Sequence, residues 1–230
     1  MAVVAHPDDM EYGAAAAVAR WTTHGHDVRY VVLTSGEAGI VSIEPRHAGP
    51  IRELEQRAAC AAVGVGNVEF LGFPDGLLEA GLTLRRAIAG SIRRHRPDLI
   101  ITINGDDYWE LGDGSRSWNH ADHRVTSQVL LDAVIDAANP WIFTDQGEAW
   151  EGVHHIAIHG TSRPTHYVDV EGAPLAAAIA SLRSHDTYLS ALRNTDMADP
   201  GTWLTDHARS AGVRAGVRLA TTFEVLSNPR

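Results

Sequence analysis

Two short clusters of ionisable residues, His6-Pro7-Asp8-Asp9 and Asn119-His120-Ala121-Asp122-His123, carry the densest chemistry of this 230-residue chain. In the first, Pro7 cannot continue a strand ladder, so the chain turns there. Asp8 and Asp9 repel each other when both are ionised beside an apolar strand end, unless a cation or hydrogen bonds compensate. A divalent metal would resolve that conflict. So would a plain capping role for one aspartate at a helix starting near Glu11, with His6 merely packed. In the second cluster, His120 and His123 stand three apart in the first turn of an expected helix and share a face. Asn119 fits the N-cap and Asp122 an acid near the positive helix end. Capping accounts for those two residues but not for the paired histidines. Two histidines and one carboxylate around an open position form a common catalytic zinc set, and His6, Asp9 and His123 are the set expected here.

Positioning these clusters requires a sheet. Short apolar runs at 3–5, 28–34, 68–71, 98–104, 141–144, 153–159 and 167–170 read as strands. Stretches at 11–25, 50–63, 82–95 and 120–138 read as helices, and two more helical stretches close the chain. Such alternation predicts α/β architecture, a mostly parallel sheet with helices on both faces. The run at 98–104 is the most continuously apolar, as expected of a strand covered on both sides. Ligands of such sheets bind beyond the carboxyl ends of the strands. That edge should gather His6–Asp9, Thr34–Glu37, Asp75 and residues 119–123. The connection at 105–119 is long enough to be functional. No internal repeat or low-complexity linker interrupts residues 1–230, so one domain is expected.

Composition removes several alternatives. Nineteen arginines and no lysine face 29 acidic residues, for a net charge of −10, which disfavours nucleic acid and anionic membrane surfaces as partners. Without lysine there is no Schiff-base chemistry and no Walker-type phosphate lysine, and Gly36-Glu-Ala-Gly39 lacks phosphate-loop spacing. The single cysteine, Cys60, forms no intramolecular disulfide framework and reads as core. No apolar run is long enough for membrane insertion. The N-terminus lacks the features of a secretory signal, so a cytoplasmic protein is expected. The first strand begins almost at Met1, which leaves room for a few native residues upstream. No Gly-x-Ser-x-Gly elbow supports a serine nucleophile. Trp109 and Trp118 lie in the long connection, and Trp118, two residues from His120, is expected to contact substrate. Trp141 and Trp150 read as packing residues. Among the other histidines, His24, His26, His47, His95 and His207 read as surface. One of His154, His155, His159 and His166 is expected to reach the cleft, and His185 is a weaker substrate candidate.

Ala5-His-Pro-Asp-Asp9-x-Glu11, paired with His120-x-Asp-His123, resembles the PIG-L/LmbE family of zinc-dependent deacetylases. The resemblance continues through Thr34-x-Gly-Glu37-x-Gly39, Arg52-x-x-Glu55, Phe70-Leu-Gly-Phe-Pro-Asp75-Gly76 and Arg96-Pro-Asp98. It covers a catalytic core of about residues 1–140. Residues from about 141 to 230 match less clearly and are expected to shape the substrate side. The resemblance implies a Rossmann-like sheet and hydrolysis of an N-acyl group from an amino sugar or its conjugate. It makes His6, Asp9 and His123 the metal ligands and Asp8 the general base. It also implies that His120 stabilises the oxyanion or protonates the leaving amine and that Asp122 keeps His120 cationic, and it puts Arg52 and Asp75 at the sugar. The expected cofactor is Zn2+, although two histidines and a carboxylate also suit Fe2+. The partner implied is a small N-acylated amino sugar, and a homo-oligomer is compatible with the reading. The rivals are an amidase acting on thiol-sugar S-conjugates and a non-catalytic sugar- or nucleotide-binding module.

Overall fold

Side chains alternate along the first strand, β1 (Ala2–Val4): Ala2 and Val4 face one apolar core, Val3 the other. β2 (Arg29–Thr34) repeats the pattern, with Tyr30 and Val32 opposed to Val31 and Leu33. Strands buried on both faces need cover on both sides, and helices supply it. The computed structural model describes residues 1–111, 114–192 and 195–228. α1 (Asp9–Gly13), α2 (Ala15–Thr23) and the end of α3 (Pro45–Ala62) close the first core. α4 (Leu82–His95) and α5 (Ala121–Ala138) close the second through Ile88, Ile92, Leu130 and Val134. Truncating a fully buried residue such as Leu130 to alanine would cost about 2–5 kcal/mol.

β1 and β2 join β3 (Asn67–Phe73), β4 (Leu99–Ile103) and β7 (His155–His159) as parallel neighbours in a seven-stranded sheet of order β3-β2-β1-β4-β7-β9-β8. β8 (His166–Asp169) and β9 (Ala220–Ser227) complete it by antiparallel pairing, after α6 (Ala173–Arg183), α7 (Asp186–Ala191) and α8 (Pro200–Ala215). The expected mostly parallel α/β sheet with helices on both faces is therefore observed. The chain builds outward from β1 to β3, then returns to set β4 on the other side of β1. That reversal opens a crevice at the carboxyl ends of β1 and β4, where ligands of such sheets bind. Among the described residues no helix is long and apolar enough to cross a membrane.

Several expected elements differ. Residues 141–144 form turns and no strand, and Trp141 is exposed instead of packed. Arg93 of α4 explains this: its guanidinium takes the carbonyls of Asn139, Ile142 and Phe143, which a ladder would have needed. The 105–119 connection contains a hairpin, β5 (Tyr108–Glu110) with β6 (Arg116–Trp118), and is no open loop throughout. The chain closes on β9, where only helices were expected; its Thr-Thr-Phe-Glu-Val run has ordinary strand composition. The first helix breaks at Ala14, and α3 starts at Pro45 with Pro50 inside it.

Candidate metal centre

The chain leaves β1, turns at Pro7, and starts α1 with Asp8 in the left-handed region at φ 89°. For a non-glycine residue that conformation costs about 1–3 kcal/mol and persists only where its surroundings impose it. The turn brings Asp9 back under its own strand end. Asp9 Oδ2 accepts the backbone N–H groups of Ala5 at 3.0 Å and His6 at 2.9 Å. Its other oxygen, Oδ1, then faces His123 Nε2 at 3.1 Å and His6 Nδ1 at 3.6 Å. The triangle closes with His6 Nδ1 and His123 Nε2 at 3.2 Å. Metal–ligand bonds of 2.0–2.1 Å at tetrahedral angles put donors about 3.3 Å apart, so these three atoms fit one zinc-sized ion. His6, His120 and Asp122 form a second cluster with ligand atoms within 4.8 Å of one another, but it uses the opposite ring nitrogen of His6.

Each donor is held from behind. His6 Nε2 lies 3.2 Å from Asp122 Oδ2 and 3.2 Å from Asp75 Oδ1. His123 Nδ1 meets Asn119 Oδ1 at 2.9 Å, while Asn119 donates to the carbonyls of Asn104 and Asp106. Partners of this kind fix a ligating histidine's tautomer and ring orientation. Burial opposes the charged form of His6, but Asp9 and hydrogen bonds to Asp122 and Asp75 outweigh it and hold its pKa well above the usual value. Burial likewise penalises the Asp9 carboxylate, yet His123 and His6 keep its pKa well below the ordinary range. For Asp122 the burial penalty is overcome by His6 and by the N–H groups of Gly76 and Leu78.

Asp8 is buried beside this set, and Arg52 Nη2 donates to its Oδ2 at 2.7 Å and to the Pro7 carbonyl at 2.5 Å. Burial raises the Asp8 pKa against the opposing pull of Arg52. The guanidinium stacks on Tyr188 of α7, 4.1 Å from the ring centroid. The Thr34-to-Gly39 motif makes room for it: Gly36 has φ 62°, and a Cβ there would meet the guanidinium at 3.0 Å. Within the same motif, Glu37 accepts the Asp75 N–H, and the Ala38 N–H donates to Asp75 Oδ2.

The structure redistributes several expected roles. His120, and not Asn119, is the N-cap of α5, with Nδ1 accepting the Asp122 N–H at 3.2 Å. That leaves Nε2 as the free, outward nitrogen. Asp122 turns its carboxylate to His6, and its pull toward a cationic His120 is outweighed. Burial and the charges of His6 and His123 lower the His120 pKa despite the opposite pull of Asp122 and Asp75. Arg52 and Asp75, expected at the sugar, lie beneath the ligand set with polar atoms engaged by Asp8, Pro7, His6 and Ala38. Trp118 is 74% exposed on the hairpin and stacks on Tyr108 with ring centroids 4.9 Å apart. His185, a weaker substrate candidate, is fully buried beside Glu11.

Sequence reasoning missed Gln56 and Tyr188, and named His159 only as one of four late histidines of which one should reach the cleft. Gln56 follows Arg52 by one helical turn, a spacing that could have marked it. His159 ends β7 with its ring in the space a Gly13 side chain would take. Burial lowers its pKa to about 4, with the Asp9 charge opposing. Nothing local to residue 188 signals the site.

The chain is similar in sequence and in fold to known proteins. Diacetylchitobiose deacetylase of Thermococcus kodakarensis is 28% identical over 187 residues, covering 79% of this chain and 67% of that protein. Mycothiol S-conjugate amidase of Streptomyces coelicolor is 29% identical over 191 residues, covering 71% of this chain and 61% of that protein. The chain thus spans about two thirds of these relatives' length or less. The solved N,N'-diacetylchitobiose deacetylase of Pyrococcus horikoshii superposes with a TM-score of 0.83 at 21% identity, covering 99% of this chain and 83% of that one. Residues 1–134, which contain every residue of the donor triangle, match the family model PIG-L, GlcNAc-PI de-N-acetylase, and the chain belongs to that family.

Proposed function

We propose that this protein is a metal-dependent hydrolase that removes an N-acyl group, acetyl in the first instance, from an amino sugar or its conjugate. The observation that carries the reading is the donor triangle of His6, Asp9 and His123 with the buried carboxylate of Asp8 beside it. These three residues would hold Zn2+, or Fe2+, which share this donor preference. A bound ion of this kind polarises a carbonyl and acidifies water. Asp8 takes a proton from the attacking water. Its raised pKa suits it to keep that proton and return it to the amide nitrogen, a poor leaving group until protonated. His120, neutral with its Nδ1 capped, carries its proton on Nε2 and donates it as a hydrogen bond to the developing oxyanion. Asp122, Asp75 and Asn119 orient the two ligating histidines. Residues from about 141 to 230 contribute Tyr188 and the helices around it to the substrate side of a single domain.

The likeness to a mycothiol S-conjugate amidase, as high as that to the deacetylase, supports a second reading: amide cleavage in a thiol-sugar conjugate by the same residues. Release of acetate or free amine from a panel of N-acylated glucosamine conjugates, with apo, zinc-loaded and iron-loaded protein in parallel, tests both. Metal-dependent acetate release establishes the deacetylase. Stoichiometric metal with turnover confined to S-conjugates selects the amidase. Failure to bind metal overturns both readings.

A further inference from the structure

The turn that carries Asp8 is gripped by side chains outside the donor triangle. Two residues one turn apart on α3 reach it: Arg52 takes the Pro7 carbonyl and the Asp8 carboxylate, and Gln56 Oε1 accepts the Asp8 backbone N–H at 2.9 Å. A carboxamide has one accepting and one donating end, and only the accepting end can meet an N–H. Glu11 decides which end is offered. Its side chain is fully buried, and its Oε1 accepts Gln56 Nε2 at 3.0 Å. A flipped amide would set an NH2 group against the Asp8 N–H and a carbonyl oxygen against the Glu11 carboxylate. Both contacts would be repulsive, so a single orientation survives. His185 closes the far side of Glu11, with Nε2 3.8 Å from Oε2, beyond hydrogen-bond reach. Glu11 is therefore left with Gln56 as its hydrogen-bonded side-chain partner among the described residues.

We propose that Gln56, oriented by Glu11, is a positioning residue that holds the Asp8 main chain in its left-handed conformation and so aims the Asp8 carboxylate at the reacting water. The inference rests on Asp8 acting as the base. A displacement of about 1 Å at such a group lowers turnover on the order of 100-fold.

The test uses the full-length metal-loaded protein and the conjugate turned over by the wild type. Gln56→Met keeps the volume and removes the acceptor. It should lower kcat on the order of 100-fold, with KM within about twofold and metal content unchanged. Glu11→Met, which frees the amide to flip, should fall with it. Glu11→Gln, which keeps an oxygen toward Gln56 Nε2, should recover most of the loss, a recovery that general weakening of the core would not produce. A crystal structure of Gln56→Met reads the same claim without turnover, because φ of residue 8 should leave the positive region. Asp8→Asn is measured alongside. If Asp8→Asn keeps wild-type kcat, the base assignment fails and aiming has no target. If Asp8→Asn is inactive while Gln56→Met keeps wild-type kcat or φ stays near its native value, the positioning role is overturned. Should Gln56→Met not fold, the Glu11→Met and Glu11→Gln pair decides alone: equal kcat in the two overturns the proposal.

Discussion

Among the described residues two arginines are almost completely buried, Arg52 at 3% and Arg93 at 4% exposure, on helices that cover opposite faces of the sheet. Both hold a guanidinium out of water on protein acceptors, but with different partners, and Arg52 keeps a buried Nε without one. Arg93 donates to main-chain carbonyls of Asp136, Ala137, Asn139, Ile142 and Phe143, and ties the end of α5 to the turns that follow. Arg52 donates to a titratable side chain, Asp8, at the carboxyl edge of the parallel strands, and two glycines of a neighbouring loop yield space to it. Burial and number of bonds are therefore poor markers of a functional arginine. The partner's chemistry and its place on the sheet separate architecture from catalysis.

The contrast breaks most sharply at Asp8. Asp8→Asn should keep its metal yet lose about 10²–10⁴-fold in kcat, the usual contribution of a general base. Metal analysis beside steady-state kinetics checks this, and an Asp8 variant that loses metal while remaining active would refute the assignment. The opposite signature belongs to Arg93. Arg93→Met leaves several carbonyls without their donor and should cost about 3 kcal/mol of stability in denaturant titration, with kcat and metal content unchanged. If Arg93→Met alters kcat in the folded protein, the division between the two arginines is wrong.

A smaller effect is expected one layer behind the metal ligands. Asp122→Asn should weaken metal binding 10–100-fold, because it loosens the orientation of His6. The pH dependence has a definite sign. In the metal-free site the His6 pKa is raised, so a proton competes with the ion for that ring. Metal affinity should fall as pH drops through this raised pKa, by about tenfold per pH unit, and level off above it. Competition with a chromophoric chelator across pH measures both. A pH-independent affinity would remove His6 from the ligand set.

The parallel part of the fold was legible because each of its strands is a local apolar run followed by a helix, and the switch between β1 and β4 then dictates which loops meet. The meeting of His6, Asp9 and His123 was legible for a related reason, since the first two follow β1 directly and the third stands in the first turn of α5, the helix after β4. What stayed hidden depends on contacts across the chain. Arg93 captures carbonyls 43–50 residues away and so cancels an expected strand at 141–144. β9 is a strand because β7 and β8 leave an antiparallel place between them, a pairing no local pattern announces. The family resemblance assigned Asp122 to His120, whereas the backbone N–H groups of Gly76 and Leu78 pull its carboxylate toward His6. Arg52 likewise was assigned outward, to the sugar, although the short link from Pro7 to Asp8 draws it inward.

Trp118 sharpens the comparison from the other extreme, as a residue with almost no burial to lose. Its indole is 74% exposed and leans on Tyr108 at an interplanar angle of 34° in a two-stranded hairpin. Replacing an exposed side chain of this kind should change stability by no more than about 0.5 kcal/mol. An effect on function must therefore come from what the ring does to a ligand. Aromatic stacking contributes about 0.5–1.5 kcal/mol, so Trp118→Ala should raise KM roughly 2–12-fold for conjugates with a ring or apolar group beyond the scissile amide. Kcat should stay as it is, because the indole leans on Tyr108, which is not among the groups that hold the donor triangle. Comparing a free N-acetylated monosaccharide with a larger conjugate separates the possibilities. A KM rise confined to the larger substrate assigns the hairpin to the part of the substrate beyond the sugar. An equal change in both, or a loss of stability, would make Trp118 a support of the hairpin, closer in kind to Arg93 than to Arg52.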